Sequence, residues 1–336
     1  MKNKTSFILG CTGQDGSYLS ELLLEKGYEV YGLIRRSSVD TTERIAHIIH
    51  RPNFHLVEGD ITDASCMYRL ISGIQPTEVY NLAAMSHVGV SFDQPITTCQ
   101  IDAVGPLNVL EAIRQTSPKS KYYQASTSEL FGNTDIAPQS ERSEMIPNSP
   151  YAVAKLYAHH LTGLYRRAYG IFACAGILFN HESQRRGEAF VTRKITKYVA
   201  SLQKWMDCHE GFPRKDVDVI PLFLGNIEAK RDWSHAIDMV NGMWLMMQHD
   251  VADDYVLGSG ETHSVREFLE VAFNTIGLDY RDYFEVDPKF FRPVDVNLLQ
   301  ADPSKAREVL GWKPTIGFGE MIDQMVQSDY GVLINA

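Results

Sequence analysis

Short apolar runs alternate with longer amphipathic stretches through the first half of the chain. Residues 5–10, TSFILG, read as a buried strand; Gly10, Gly13 and Gly16 follow, and Tyr18, Leu19, Leu22 and Leu23 then fall on one helical face. Further apolar runs at 29–35, 54–57, 78–83, 121–125 and 171–179 read as strands, separated by helical patterns at about 66–74, 96–116 and 151–169. The repeated strand–helix order predicts an α/β fold: a doubly wound parallel Rossmann-type sheet with helices on both faces.

The later pattern is less regular. Helices are predicted over 190–206 and 234–248, and strands over 218–224 and 254–258 that return to the first sheet. Ser264 and Glu267 have the spacing of a capping box, Asp302 with Pro303 suits another helical start, and LGWKP at 310–314 stops that helix. The expected division is a dinucleotide-binding domain over 1–180, rejoined by about 215–260, and a smaller α/β lobe from 181–214 and 261–336. No repeat or low-complexity linker separates the two, so they are expected to pack together.

Composition narrows the class. With 336 residues, 44% hydrophobic, the chain can bury an extensive core. Its net charge of −10, from 32 basic and 42 acidic residues, argues against nucleic acid and against a polybasic membrane surface. Cysteines at 11, 66, 99, 174 and 208 show neither a paired framework nor metal-ligand spacing, so reduced thiols and no metal are expected. The basic start MKNKTSFILG runs into a glycine turn rather than a cleavage segment, and no apolar run is long enough to span a bilayer; a cytoplasmic protein is expected.

The turn GCTGQDG, 10–16, sits between first strand and first helix, where small residues let a pyrophosphate approach the helix amino end. The second strand ends in Arg35 and Arg36 instead of an acidic residue that would bind a free ribose 2′-hydroxyl. Two guanidinium groups suit a 2′-phosphate, hence NADP, although they also suit a solvated turn. Asp60 either faces the adenine side or caps a turn. Tyr151 and Lys155, four apart in YAVAK, share a helix face; lysine's charge favours tyrosinate, which can take an alcohol proton as a nicotinamide accepts the hydride. Thr127 and Glu129 follow a strand at the sheet edge where ligands gather. They cap the turn, or Glu129 supplies the second proton-transfer group that dehydration, unlike simple oxidation, requires.

These segments, with IRRSS at 34–38, NLAAMSHV at 81–88, STSELFG at 126–132, SPYAVAK at 149–155, GILFNHESQRRGEAFVTRK at 176–194 and RDW at 231–233, resemble the GDP-mannose 4,6-dehydratases of the extended short-chain dehydrogenase/reductase family over nearly the whole chain. The resemblance implies a catalytic set of Thr127, Glu129, Tyr151 and Lys155, and a tightly bound NADP that is reduced and reoxidised within one turnover. It implies cofactor contacts from Gly10, Gly13, Gln14, Asp15, Gly16, Arg35, Arg36, Asp60, Leu82, Ala83, Ala84, Ser86, His181 and Arg186, besides Tyr151 and Lys155. GDP-mannose contacts are implied for Ser86, Thr127, Ser128, Glu129, Tyr151, Asn180, Lys194, Gly225, Asn226 and Arg231.

For several of these a structural role competes: a surface ion pair for Arg231, a strand-end cap for Asn180, a hydrogen bond for His181, a solvated turn for Arg185 and Arg186. The family uses the Arg185–Arg186 loop at a subunit contact, so a homodimer or homotetramer is expected, the tetramer favoured. Two departures stand out: Ala175 where relatives commonly carry Asn, and a longer, more charged connection over 205–220. The rivals are an NADPH-dependent reductase or epimerase of the same scaffold, a bifunctional dehydratase/reductase, and an inactive nucleotide-binding scaffold.

Overall fold

The computed structural model describes residues 4–134, 136–291, 294 and 296–335. In chain order its strands are β1 (Thr5–Leu9), β2 (Glu29–Ile34), β3 (Phe54–Glu58), β4 (Glu78–Asn81), β5 (Lys121–Thr127), β6 (Ala173–Leu178), β7 (Asn180–Glu182), β8 (Leu222–Leu224), β9 (Lys230–Arg231), β10 (Trp233–His235), β11 (Asp254–Leu257), β12 (His263–Ser264) and β13 (Phe284–Val286). The α-helices are α1 (Gln14–Glu25), α2 (Ala64–Ile74), α3 (Val88–Asp93), α4 (Pro95–Cys99), α5 (Gly105–Thr116), α6 (Pro150–Tyr169), α7 (Val191–Cys208), α8 (Ala236–Gln248), α9 (Val265–Asn274), α10 (Ser304–Leu310) and α11 (Phe318–Asn335).

Seven strands form one parallel sheet in the order β11-β6-β5-β4-β1-β2-β3. Side chains alternate across it. Phe7, Leu9, Val79 and Tyr122 face the core beneath α2 and α5, whereas Ile8, Tyr80 and Tyr123 face the core shared with α1 and α8. Burial on both faces explains why the strands read as continuous apolar runs. Strand order switches sides at β1: β2 and β3 lie on one side and β4 on the other, so a crevice opens beyond the carboxyl ends of β1 and β4.

Local chemistry sets the helix ends. Asp63 accepts from the Cys66 N–H to start α2, and Ser149 accepts from Ala152 N–H, with Pro150 in the first turn, to start α6. The Ser264–Glu267 capping box forms as expected, and α10 ends at Gly311, whose φ of 65° is left-handed.

A second core lies outside the sheet, built by Ile195, Val199 and Leu202 of α7, Phe268 and Phe273 of α9, and Met325 of α11. Three expectations are corrected. Segment 218–224 does not rejoin the first sheet: β8 pairs with β13, because Leu222 and Leu224 bury into this second core. The strand expected over 78–83 ends at Asn81, where the chain leaves the sheet to line the crevice. The helix expected over 96–116 is interrupted by a π-type turn at Gln100–Val104.

Candidate active site

A cavity of about 1380 Å³ opens at the crevice and runs from the β1–α1 turn to the second core. Every site residue inferred from the sequence lines it. At one end Gly10 has φ +87°, and a Cβ there would stand 2.9 Å from the Ala83 backbone nitrogen. A Cβ on Gly16 would stand 2.1 Å from the Gly10 carbonyl oxygen, so glycine at 16 is what lets α1 meet its own turn. Gly13 precedes α1 in an extended conformation and supplies no side-chain cap, and the first-turn residues Gln14, Asp15 and Gly16 line the cavity. That cradle fits a pyrophosphate. Arg35 and Arg36, both exposed, line the cavity at the end of β2; Leu82, Ala83, Ala84 and Ser86 line it after β4. Asp60 lines it too, while its Oδ1 accepts from Thr62 N–H at 2.9 Å and Thr62 Oγ1 at 2.7 Å, the turn-capping role.

The segment after β6 is tied to α1. Gln14 donates to the His181 carbonyl at 3.2 Å and accepts from Ser183 Oγ at 2.9 Å. His181 Nδ1 lies 2.7 Å from the Phe179 carbonyl and Nε2 lies 2.8 Å from Asp15 Oδ2, so both ring nitrogens face acceptors and the imidazolium satisfies both. Burial works against that charge, but the Asp15 charge and hydrogen bond outweigh it and hold His181 above its ordinary pKa. Arg186 stacks 3.6 Å from the Phe190 ring centroid and pairs with buried Glu182. Arg185, by contrast, pairs with Glu21 and donates to Ser17 of its own α1.

At the cavity's centre, β5 ends in Thr127, whose hydroxyl accepts from the Glu129 N–H at 3.2 Å. Thr127 also hydrogen-bonds the Tyr151 phenol. Lys155, on the same face of α6, donates to the Ala125 carbonyl at 3.0 Å, and its Nζ is 5.8 Å from the Tyr151 ring centroid. Burial holds Tyr151 well above its ordinary pKa, the Asp102 and Glu129 charges reinforce this, and the Thr127 bond opposes it. Burial lowers Lys155, with Asp102 and Asp15 opposing.

Toward the second core the lining passes through Ser128, Asn180, Lys194, Gly225, Asn226 and Arg231. Asn226 Oδ1 accepts from Glu228 N–H, a turn role, and Arg231 is 7% exposed and donates to the Lys230 carbonyl. Sequence reasoning missed Lys289, Phe290 and Phe291, which close this end; Lys194 lies 4.9 Å over the Phe290 ring, and a Cβ on Gly225 would strike the Phe290 carbonyl at 2.6 Å. They stand about sixty residues beyond Gly225 and carry no motif; the adjacent aromatic pair was the available signal. Ala175 lies inside β6, paired with Asp254. Among the described residues no cluster of metal-ligand side chains occurs, and no helix is long and apolar enough to cross a membrane.

Residues 7–325 match the family profile of GDP-mannose 4,6 dehydratase. GDP-mannose 4,6 dehydratase 2 of Arabidopsis thaliana is 52% identical over 336 aligned residues, 97% of this chain and 87% of that protein. GDP-mannose 4,6-dehydratase of Vibrio cholerae is 45% identical, over 98% of this chain and 94% of its own length. Among solved structures, the UDP-glucose 4-epimerase of Thermus thermophilus in complex with NAD superposes with a TM-score of 0.81 at 26% identity, covering 97% and 99% of the two chains. A match running from β1 into α11, with close relatives aligned over nearly the whole length, shows that the chain belongs to the GDP-mannose 4,6-dehydratase family.

Proposed function

We propose that this protein converts GDP-mannose to GDP-4-dehydro-6-deoxy-mannose and water, using a tightly held NADP. The observation that carries the reading is the meeting of Tyr151, Lys155, Thr127 and Glu129 in the same cavity as the glycine cradle. Held along Gly10, Gly13 and Gly16 of that cradle, a nicotinamide would supply the hydride acceptor for C4 and the donor for C6. Tyr151 takes the C4 hydroxyl proton, and Thr127 holds the C4 oxygen through the hydroxyl it already offers the phenol. Lys155 binds the nicotinamide ribose and supplies the positive charge that favours phenolate. Once C4 is a ketone, C5–H is acidic; Glu129 removes that proton and passes it to the departing C6 hydroxyl, which leaves as water, and the proton that Tyr151 took is returned, directly or through solvent, to C5 as C6 receives the hydride.

Asn180, Lys194, Asn226 and Arg231 receive the GDP moiety, the two cations neutralising its diphosphate. Arg35 and Arg36 select NADP over NAD by pairing with the 2′-phosphate. Assembly is a homodimer or homotetramer. Exposed Val153, Tyr157 and Leu164 on α6, with Ile96 on α4, give an apolar surface suited to a second copy, and light scattering across concentration tests it.

Glu129→Gln tests the chemistry. Glutamine keeps the size and loses the base, so turnover should fall about 10²- to 10⁴-fold with substrate affinity retained. C5 solvent exchange should disappear while C4 oxidation persists as trapped NADPH. Wild-type C5 exchange in the variant removes Glu129 from the mechanism.

A further inference from the structure

Asp102 is a buried carboxylate that none of the foregoing chemistry uses. It sits in the middle of the π-type turn Gln100–Val104, and is 1% exposed. Such turns re-aim one residue of an otherwise regular helix and recur at functional sites. Its Oδ1 accepts from the Met85 N–H at 2.9 Å, in the loop that lines the cavity after β4. Its Oδ2 is buried and makes no hydrogen bond among the described residues. A carboxylate so placed is costly unless an opposite charge faces it.

The opposite charge that bears on it is Lys155, itself 3% exposed, on helix α6, which packs against the π-type turn. Burial pushes the Asp102 carboxyl up and lowers Lys155, and each charge opposes that effect on the other. Other charges act here too. Lys155 also feels Asp15, and Tyr151 feels Glu129 and Arg186, but Asp102 bears on both Lys155 and Tyr151. We propose that Asp102 is a positioning residue of the active site, whose negative charge keeps Lys155 cationic and sets the proton exchange of the Tyr151/Lys155 pair. The inference rests on Tyr151 and Lys155 being the reacting pair.

Asp102→Asn removes the charge and keeps both the volume and an oxygen for the Met85 N–H. Losing a negative neighbour makes proton loss easier for lysine and tyrosine alike, so both limbs of the pH profile of kcat/KM should move to lower pH, by about one unit or more. A purely structural role lowers or spares activity without moving the limbs. Asp102→Ser, uncharged and also carrying an oxygen, gives a second reading of the same shift should the asparagine variant fold poorly. Unmoved limbs in either folded variant overturn the proposal. Tyr151→Phe, measured in parallel, separates the two levels. Wild-type turnover in it defeats the reading of the pair itself, whereas an inactive Tyr151→Phe beside an unmoved Asp102→Asn profile defeats only the role of Asp102.

Discussion

Replacing Gly16 by alanine puts the dinucleotide cradle under direct test. The new Cβ would stand 2.1 Å from the Gly10 carbonyl oxygen and 2.7 Å from the Cys11 Cα. The first distance lies about 1.3 Å inside ordinary van der Waals contact, and both obstacles are backbone, so no side chain can rotate away. The first turn of α1 must move from the β1–α1 turn by about 1 Å. Overpacking of this kind costs roughly 1–3 kcal/mol of stability. An amide–phosphate hydrogen bond does not survive an extra ångström, and losing one or two charge-assisted bonds, at about 1.5–3 kcal/mol each, weakens NADPH binding by at least tenfold and up to about 10⁴-fold. Gly13→Ala is the comparison, because its Cβ meets only the Gly10 oxygen, at 3.3 Å, and a shift of a few tenths of an ångström relieves it. Calorimetric titration with NADPH and thermal melts of both variants read the two effects. Wild-type affinity and Tm in Gly16→Ala refute the cradle as the binding element.

Arg35→Ala is expected to lose roughly ten- to hundredfold of the preference for NADP over NAD, measured as the ratio of the two dissociation constants; an unchanged ratio assigns the selectivity elsewhere, Arg186 being next in line. Asp15→Asn breaks the pair with His181 and should cost about 3 kcal/mol near neutral pH. Because the folded His181 pKa is raised, its share of that stability is full below the ordinary histidine value near 6.5 and fades as pH rises through the folded value. Asp15, whose pKa is lowered, loses its share only as pH falls below the ordinary carboxylate range. The Tm gap between wild type and Asp15→Asn should therefore narrow on the alkaline side, and a gap that widens there contradicts the imidazolium assignment.

The sheet was readable because its central strands are covered on both faces, so Phe7, Ile8 and Leu9 are all apolar and the run announces itself. The π-type turn was not. Residues 96–116 keep helical periodicity throughout, and one wider turn changes only which face Asp102 presents, which no count of apolar positions detects. Leu222–Leu224 looks like any sheet strand, yet its partner Phe284–Val286 lies about sixty residues downstream in a short run that alternates no pattern of its own. The site residues grouped well because most sit at a strand end, in the loop that follows it or near a helix start, where topology brings distant segments together. Their ionisation was less legible: Tyr151 shares a helix face with Lys155, but depth of burial, which spacing does not report, pushes the phenol's pKa up. The Arg185–Arg186 motif likewise divides, Arg185 binding α1 of its own chain and Arg186 facing the cavity.

The central claim is that one cavity oxidises C4, eliminates water across C5 and C6, and returns the same hydride to C6. GDP-mannose carrying deuterium at C4, incubated with the protein and unlabelled NADP and analysed by mass spectrometry and NMR, tests it most directly. The expected product is GDP-4-dehydro-6-deoxy-mannose with the deuterium at C6. Product lacking deuterium at C6, or GDP-mannose recovered unchanged by folded protein holding its cofactor, contradicts it.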